Sequence, residues 1–350
     1  ASSVTANAGH SCAVRDDHGV SCWGNNTQNE IGTITGSISC QASGTQFRCT
    51  PTPQALAMPP IDKLGMADQA SCAIAMDGTT VYCWGTNGGE VGGPIGNLPS
   101  PTVIADRAGS QQLIGGQHHL CSLAANGDVL CAGMNTYGEV GNGSQLAVTT
   151  PTTVISAATA IGAGFNHTCA VTDGNVACWG ANAKMQADGA TTNPGLVSPT
   201  LVAGVTNAKA VAAGSEHTCA LISDGTVKCW GSNQFAQLGM LTASTTSGAV
   251  SLPLSQVTAI SAGVNHTCTV DAGGRVVCWG EGYSTPGIDD YLVTVTLQKR
   301  ALSITSGSYH DCAVVDGGDV YCWGWNAYGQ LGTGVVSEMN EPPSRVHLCP

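Results

Sequence analysis

Cysteine spacing constrains this chain more than any other feature. Fourteen of its 17 cysteines fall into seven pairs: Cys12/Cys22, Cys72/Cys83, Cys121/Cys131, Cys169/Cys178, Cys219/Cys229, Cys268/Cys278 and Cys312/Cys322. Members of a pair lie nine to eleven residues apart, and the first members recur every 44 to 60 residues. A period near fifty marks copies of one supersecondary unit, stacked or arranged radially. The 350 residues therefore read as one domain, 1–350, of seven units at approximately 1–63, 64–112, 113–160, 161–210, 211–259, 260–303 and 304–350.

The fifth unit shows the grammar. Ala210-Val211-Ala212-Ala213 precedes Gly214, His217-Thr218-Cys219-Ala220-Leu221 follows, and Ser223-Asp224-Gly225 separates that run from Val227-Lys228-Cys229-Trp230-Gly231. Short apolar runs flanking an Asp-Gly turn signal a β-hairpin. A further apolar stretch lies upstream, at Thr200-Leu201-Val202 after Pro199. Three or four short strands per unit and no 3.6-residue periodicity predict an all-β chain, a seven-bladed β-propeller.

Hairpin register follows from counting. Equal four-residue arms flank Asp173-Gly174 in unit four, Ser223-Asp224-Gly225 in unit five and Met76-Asp77-Gly78-Thr79 in unit two. The loop varies while the arms do not, so the two cysteines of each pair stay opposite each other, within reach of a disulfide once the strands twist. One intra-blade hairpin disulfide per blade is expected. Zinc is the competing reading, because the histidine two positions before the first cysteine would share its strand face. Yet each unit offers two cysteines and no CxxC knuckle, and no CxxCH occurs for haem. No metal or other cofactor is expected. Cys40 and Cys49 should staple a Ser/Thr/Gly-rich insertion at about 32–53, leaving Cys349 unpaired or intermolecular, a route to a covalent or assembly partner.

Disulfides place the chain in an oxidising compartment: secreted, at a cell surface or periplasmic. A start at Ala1-Ser2-Ser3 without Met suits a chain whose signal has been removed. Lysine and arginine total 11 against 23 aspartates and glutamates, a net charge of −12. Nucleic acid is thereby disfavoured as a partner, since phosphate binding needs basic side chains. No apolar run approaches the length of a membrane-spanning helix.

The repeated pattern Gly-x-x-His-Thr-Cys-Ala…Asp-Gly-x-Val-x-Cys-Trp-Gly-x-Asn-x-x-Gly-Gln-Leu-Gly resembles the repeat of the regulator of chromosome condensation family, in its cysteine-bearing secreted bacterial form. Its fullest copies run from His217 to Gly239 and from Trp323 to Gly332. Ala70 replaces the histidine in unit two, Ala132 replaces the tryptophan in unit three, and unit six reads Glu281-Gly282-Tyr283-Ser284-Thr285-Pro286 where others carry Asn-x-x-Gly-Gln-Leu. Such losses suggest packing positions, each contributing a share. The resemblance also implies closure of the ring by the C-terminal strand, with Pro343-Ser344-Arg345-Val346 passing to the first blade.

Six histidines, His10, His119, His167, His217, His266 and His310, hold equivalent positions. They offer either a ring of imidazoles around the channel or a structural bridge within each blade. A residue repeated in every unit serves the unit, which favours the bridge. The same reasoning assigns Trp23, Trp84, Trp179, Trp230, Trp279 and Trp323 to inter-blade core. No catalytic signature is present: no Gly-x-Ser-x-Gly, HExxH, Walker or EF-hand loop. Acidic pairs Asp16-Asp17 and Asp289-Asp290 read as solvated loops.

Recognition should sit where the repeats differ. The two residues before each repeat histidine vary most: Ala8-Gly9, Asp68-Gln69, Gln117-His118, Phe165-Asn166, Ser215-Glu216, Val264-Asn265 and Ser308-Tyr309. In a propeller they line one rim, and the resemblance implies that secreted inhibitory members grip a partner protein with it. A non-enzymatic extracellular binding, adhesion or structural propeller, recognising a protein or surface glycan, is the leading expectation. A chromatin-bound guanine-nucleotide exchange factor is the alternative that the family implies, against which stand the cysteines and the acidic charge. A glycan-active enzyme using Asp68 and Glu216 is the third.

Overall fold

The computed structural model describes all residues except 34–37, 43, 192, 241–244, 284–290 and 349–350. Cys349 and the Asp289-Asp290 pair thus lie outside the described residues. Seven antiparallel sheets follow one another along the chain, and in the six four-stranded ones the spatial order of strands matches their sequence order. In the fifth, Ala208–Ala213 is innermost, followed by His217–Ile222, Val227–Ser232 and Thr245–Ser251. The first sheet has a fifth strand, Ile38–Ala42, at its outer edge, paired to the fourth in space, Thr45–Leu56, and stapled to it by Cys40–Cys49.

Burial explains why these runs become strands. All six residues of His217–Ile222 are buried, because each second strand is covered on both faces by the neighbouring blades. A strand buried on both sides reads as a continuous apolar run rather than an alternating one. Outer strands such as Gly195–Leu201 are half-buried or exposed and carry proline, which an edge strand tolerates.

The cysteine register is the one expected. Cys12↔Cys22, Cys72↔Cys83, Cys121↔Cys131, Cys169↔Cys178, Cys219↔Cys229, Cys268↔Cys278 and Cys312↔Cys322 are directly opposed across the second and third strands. All seven are disulfides, with Cα atoms 4.0–4.1 Å apart.

The core is a set of clusters between blades. One joins Cys169, Val171 and Cys178 to Val211 and Trp230 of the next blade; another joins Cys219, Leu221 and Cys229 to Val277 and Trp279. The C-terminal strand Ser337–Val346 closes the ring as the outermost strand of the seventh sheet, paired to Val320–Asn326. It does not pass to the first sheet, whose innermost strand is its own Ser3–Asn7. The reason is that the outermost segment of each unit, proline-bearing in most of them, hydrogen-bonds back to the cysteine–tryptophan strand before it, as Thr200 does to Cys178. Blades seven and one then seal through side chains, Val4, Ala13 and Trp23 packing on Val314, Leu331 and Val346.

Candidate functional site

The rim is held in place by the repeat histidines, which are buried between blades and absent from the channel wall. Except for His10, which follows Asn7, each imidazole lies over the glycine three residues before it. A Cβ on Gly164 would come within 2.6 Å of His167 Cε1 and 2.0 Å of the Gly214 carbonyl oxygen in the next blade. Gly116, Gly214, Gly263 and Gly307 face the same two obstacles, which is why the motif begins with glycine.

From this seat each Nε2 reaches the hydroxyl of the following blade: His10 to Ser71 (2.9 Å), His119 to Thr168 (2.9 Å), His167 to Thr218 (2.8 Å), His217 to Thr267 (2.8 Å) and His310 to Ser11 (2.8 Å). Ser71, Thr168, Thr218 and Ser11 spend their single proton on a backbone carbonyl, of Glu30, Glu139, Gln186 and Gln330 respectively. Those hydroxyls therefore accept from the ring, and the tautomer is Nε2–H. The same four carbonyls also accept the indole N–H of Trp84, Trp179, Trp230 and Trp23. Histidine, hydroxyl, carbonyl and indole thus form one polar unit per interface. Burial lowers the pKa of His10, His167 and His217 to about 3, and of His119 and His310 to about 4, so all five are neutral near pH 7.

Two interfaces depart from the unit. Between blades two and three the histidine is Ala70, the hydroxyl residue is Leu120 and the tryptophan is Ala132. Arg107, fully buried, fills the place of all three. Its Nε donates to Val91 O (2.8 Å), Nη2 to Glu90 O (2.7 Å) and Leu120 O (2.9 Å), and Nη1 to Ser122 Oγ (3.1 Å) and Leu130 O (3.2 Å). All five N–H groups of the guanidinium are used. The losses at Ala70 and Ala132 are therefore not independent tolerances but parts of one exchange. Between blades six and seven, where the Gln-Leu segment is missing, Tyr283 supplies the oxygen: Trp323 donates to its hydroxyl (2.6 Å), and that hydroxyl donates to Asp311 Oδ2. Asp311 Oδ1 meets His266 Nε2 at 3.1 Å.

His266, Asp311 and Cys268 place ligand atoms within 4.8 Å of one another. Cys268 is bonded to Cys278 and offers no thiolate, so the group supplies two ligands where zinc takes four.

Above these interfaces, the rim residues occupy the turns between first and second strands. Asp68, Gln117, Phe165, Ser215, Val264 and Ser308 line the mouth of a central channel of about 330 Å³ walled by all seven innermost strands. Gln69, His118, Asn166, Glu216, Asn265 and Tyr309 stand one residue further out and do not line it. Six of the seven turns, those of blades two to seven, are tied sideways: Asp68 N donates to Gly116 O, Gln117 N to Phe165 O, Phe165 N to Gly214 O, Ser215 N to Val264 O and Val264 N to Ser308 O. The carbonyls of the outer residues accept from the N–H two residues beyond each cysteine-strand tryptophan, as Glu216 O does from Ser232. Asp68 and Glu216 are not brought together, since only Asp68 faces the channel.

Four aromatic rings on this face escaped the sequence reading as a group. Tyr309 meets Trp325 edge-on at 6.1 Å, Trp325 meets Tyr328 at 5.0 Å, and Tyr328 meets Phe47 of the first blade's stapled hairpin at 4.6 Å. Tyr309 stood among the variable rim residues, and Trp325 carried a second signal, a bulky ring at the position where other units have Asn25, Thr86, Met134, Ala181, Ser232 or Glu281.

Fold and rim together define a disulfide-stapled propeller scaffold for binding. The regulator of chromosome condensation (RCC1) repeat matches residues 1–30, 126–186, 208–237, 257–284 and 302–349, over half of the chain. The chain belongs to the RCC1 repeat family. Human WBSCR16 shares its fold at 21% identity and a TM-score of 0.79, over 94% of both chains. Prp20p of Saccharomyces cerevisiae, whose structure was described with its binding to Gsp1p and histones, matches at 21% identity and TM-score 0.77, over 93% of this chain and 85% of that one. The ectodomain of the Physcomitrella patens receptor kinase CR4 matches at 21% identity and TM-score 0.58, over 92% of this chain and 72% of that one.

Proposed function

We propose that the chain is a non-enzymatic recognition propeller of an oxidising compartment, and that it grips a partner protein through the rim of seven turns. One observation carries this reading. Six of the seven turns, those of blades two to seven, are locked to each other by backbone hydrogen bonds, while their side chains differ from blade to blade. A rigid ring that displays variable residues binds with little ordering cost. Phe165 and Tyr309 are its aromatic anchors, and Asp68, Gln69, Gln117, His118, Asn166, Ser215, Glu216, Val264, Asn265 and Ser308 supply a mixed polar surround.

Eight disulfides support the compartment, because reducing cytosol keeps thiols free. That the CR4 ectodomain, an extracellular module, has a related shape is compatible with it. Exchange-factor activity of the Prp20p kind rests on shape alone. The test is retention of a partner from the extracellular fraction of the source organism on immobilised, oxidised protein. Phe165→Ala with Glu216→Lys should abolish retention, whereas Asp224→Asn, in a hairpin loop at the other end of a blade, should not. Retention indifferent to the rim variants would sink the proposal.

A further inference from the structure

Aromatic side chains that obey the repeat are accounted for: the six repeat tryptophans are buried, at most 3% exposed, with their indole N–H groups bonded between blades. Four further rings gather in one place; Tyr328 has ring counterparts in Tyr137 and Phe235 of other units, whereas Tyr309, Trp325 and Phe47 have no phenylalanine, tyrosine or tryptophan counterpart. Tyr309, Trp325, Tyr328 and Phe47 make a continuous edge-to-face strip from blade seven onto blade one. Just as a residue repeated in every unit serves the unit, a strip used once serves something outside it.

Trp325 is the shared wall of two hollows. On one side lies a cavity of about 750 Å³ between blades six and seven, bordered by Tyr283, Tyr309, Pro342, Glu281 and Glu341. On the other lies a cavity of about 470 Å³ reaching into blades one and two, bordered by Tyr328, Phe47, Gln28, Glu30 and Asp68. Among the described residues, no lysine or arginine lines either hollow. Arg48, on the stapled hairpin, is close enough to act on Glu30 but borders neither. Glu281 accepts a hydrogen bond from Asn265 Nδ2 (2.9 Å) and lies near enough to Tyr309 to help raise its phenol pKa, second to burial. Neither Glu281 nor Glu341 enters an ion pair among the described residues.

We propose that this strip takes an extended basic segment of the partner protein, a lysine or arginine head settling over Trp325 between Tyr309 and the carboxylates of Glu281 and Glu341. A cation over an indole face is attracted by the ring quadrupole, and most strongly by tryptophan. Uncompensated carboxylates beside the ring supply the full charge that the quadrupole lacks. A chain of net charge −12 draws such a segment in from a distance. The proposal rests on the rim reading and specifies what one sector of the rim recognises.

Capped hexa-arginine is the probe, titrated into the oxidised full chain and its variants and followed by isothermal titration calorimetry, with tryptophan fluorescence as a second reading in the chains that keep Trp325. Trp325 is the one tryptophan not buried among the described residues, so it dominates any change on binding. Binding should weaken about tenfold in Trp325→Ala and less in Trp325→Phe, which keeps a ring against Tyr328. Glu281→Gln with Glu341→Gln should weaken it as much. Asp62→Asn with Asp316→Asn, an equal charge change in exposed residues bordering neither hollow, should weaken it little. Equal loss from both charge pairs would mean general attraction to an acidic chain and overturn the proposal. So would binding of cellohexaose in place of the peptide, with the same Trp325 dependence. If a natural partner is released by Phe165→Ala with Glu216→Lys but not by Trp325→Ala or the Glu281/Glu341 pair, the rim stands and the basic segment falls. Indifference to every one of these substitutions takes the rim down as well.

Discussion

Glu30 shows how one side chain can work against the fold that its backbone supports. Its carbonyl is the acceptor for both Ser71 and Trp84, a task done in other blades by the carbonyls of Gln186 and Gln330. The carbonyl does not depend on the side chain, yet the Glu30 carboxyl is buried and its pKa is pushed up to about 7 by desolvation, with Asp68 adding to the rise. A folded pKa above the unfolded value of 4.5 means that the native state binds the extra proton. Its contribution is complete below 4.5 and is lost as the pH rises through 7. Glu30→Gln removes the ionisation and keeps an acceptor for the N–H of Gln28, as Gln330 keeps one for Tyr328, at the loss of the acceptor that Glu30 Oε1 gives Asn25 Nδ2. The variant should exceed the parent in stability by on the order of 1–3 kcal/mol at pH 8. The gap should close towards pH 4.5. Thermal melts at the two pH values decide it, and a variant less stable at pH 8 would show that the ionised form is needed where it sits.

Between elements, the instructive interface is the one that abandons the repeat. Arg107 is ionised and buried, lowered to about 9 by desolvation and still charged at pH 7, and it is held by five neutral acceptors. Removing it strands four carbonyls and a hydroxyl, of which each unmet acceptor costs about 1–3 kcal/mol. Arg107→Ala should therefore unfold blades two and three at room temperature or nearly so. The fourfold variant Arg107→Ala, Ala70→His, Leu120→Thr, Ala132→Trp rebuilds the polar unit used elsewhere, and should recover much of the lost stability in a denaturant titration. Failure of the rescue would mean that the backbone of this interface has adapted to arginine. The contrast also shows what a single sequence discloses. Hairpin register, disulfide pairs and the structural histidines were legible because seven copies constrain every position at once. Ala70 and Ala132 were visible as gaps, but their common cause was not, because Arg107 occurs once and lies in a one-turn 3-10 helix, Ala105–Arg107, outside the pattern. The variable rim pairs could be read off by the same comparison of copies. The aromatic strip could not, since Phe47 and Tyr328 stand 281 positions apart and meet only when the ring closes. Destination of the C-terminal strand misread for a related reason: proline-led segments look alike in most units, and only the hydrogen-bonding ladder says which neighbour they join.

At the scale of the whole ring, repetition multiplies small terms into a property no single blade has. Five imidazoles are buried neutral, with pKa values of about 3 to 4 against 6.5 in the unfolded chain. Between those values the unfolded state binds more protons, so stability is fully present above pH 6.5 and falls as the pH drops towards 3. Each ring costs about 1.4 kcal/mol per pH unit in that window, and five act together. The buried carboxyls of Glu30, Asp68, Glu90 and Glu139, all raised by desolvation, push the other way and temper the slope without reversing it across the lower half of the window. Disulfides do not relieve the loss, because they sit within blades and the histidines bond between them. Acid should therefore separate blades that remain internally stapled. Urea titrations of the oxidised protein should give midpoints that fall most steeply below about pH 5, where the raised carboxyls become protonated in both states and no longer oppose the histidines. Replacing His167 and His217 by glutamine should flatten that fall, since two of the five groups that must take up a proton are removed. A pH profile unchanged by the double substitution would mean that the histidines are not what sets the acid limit of the ring.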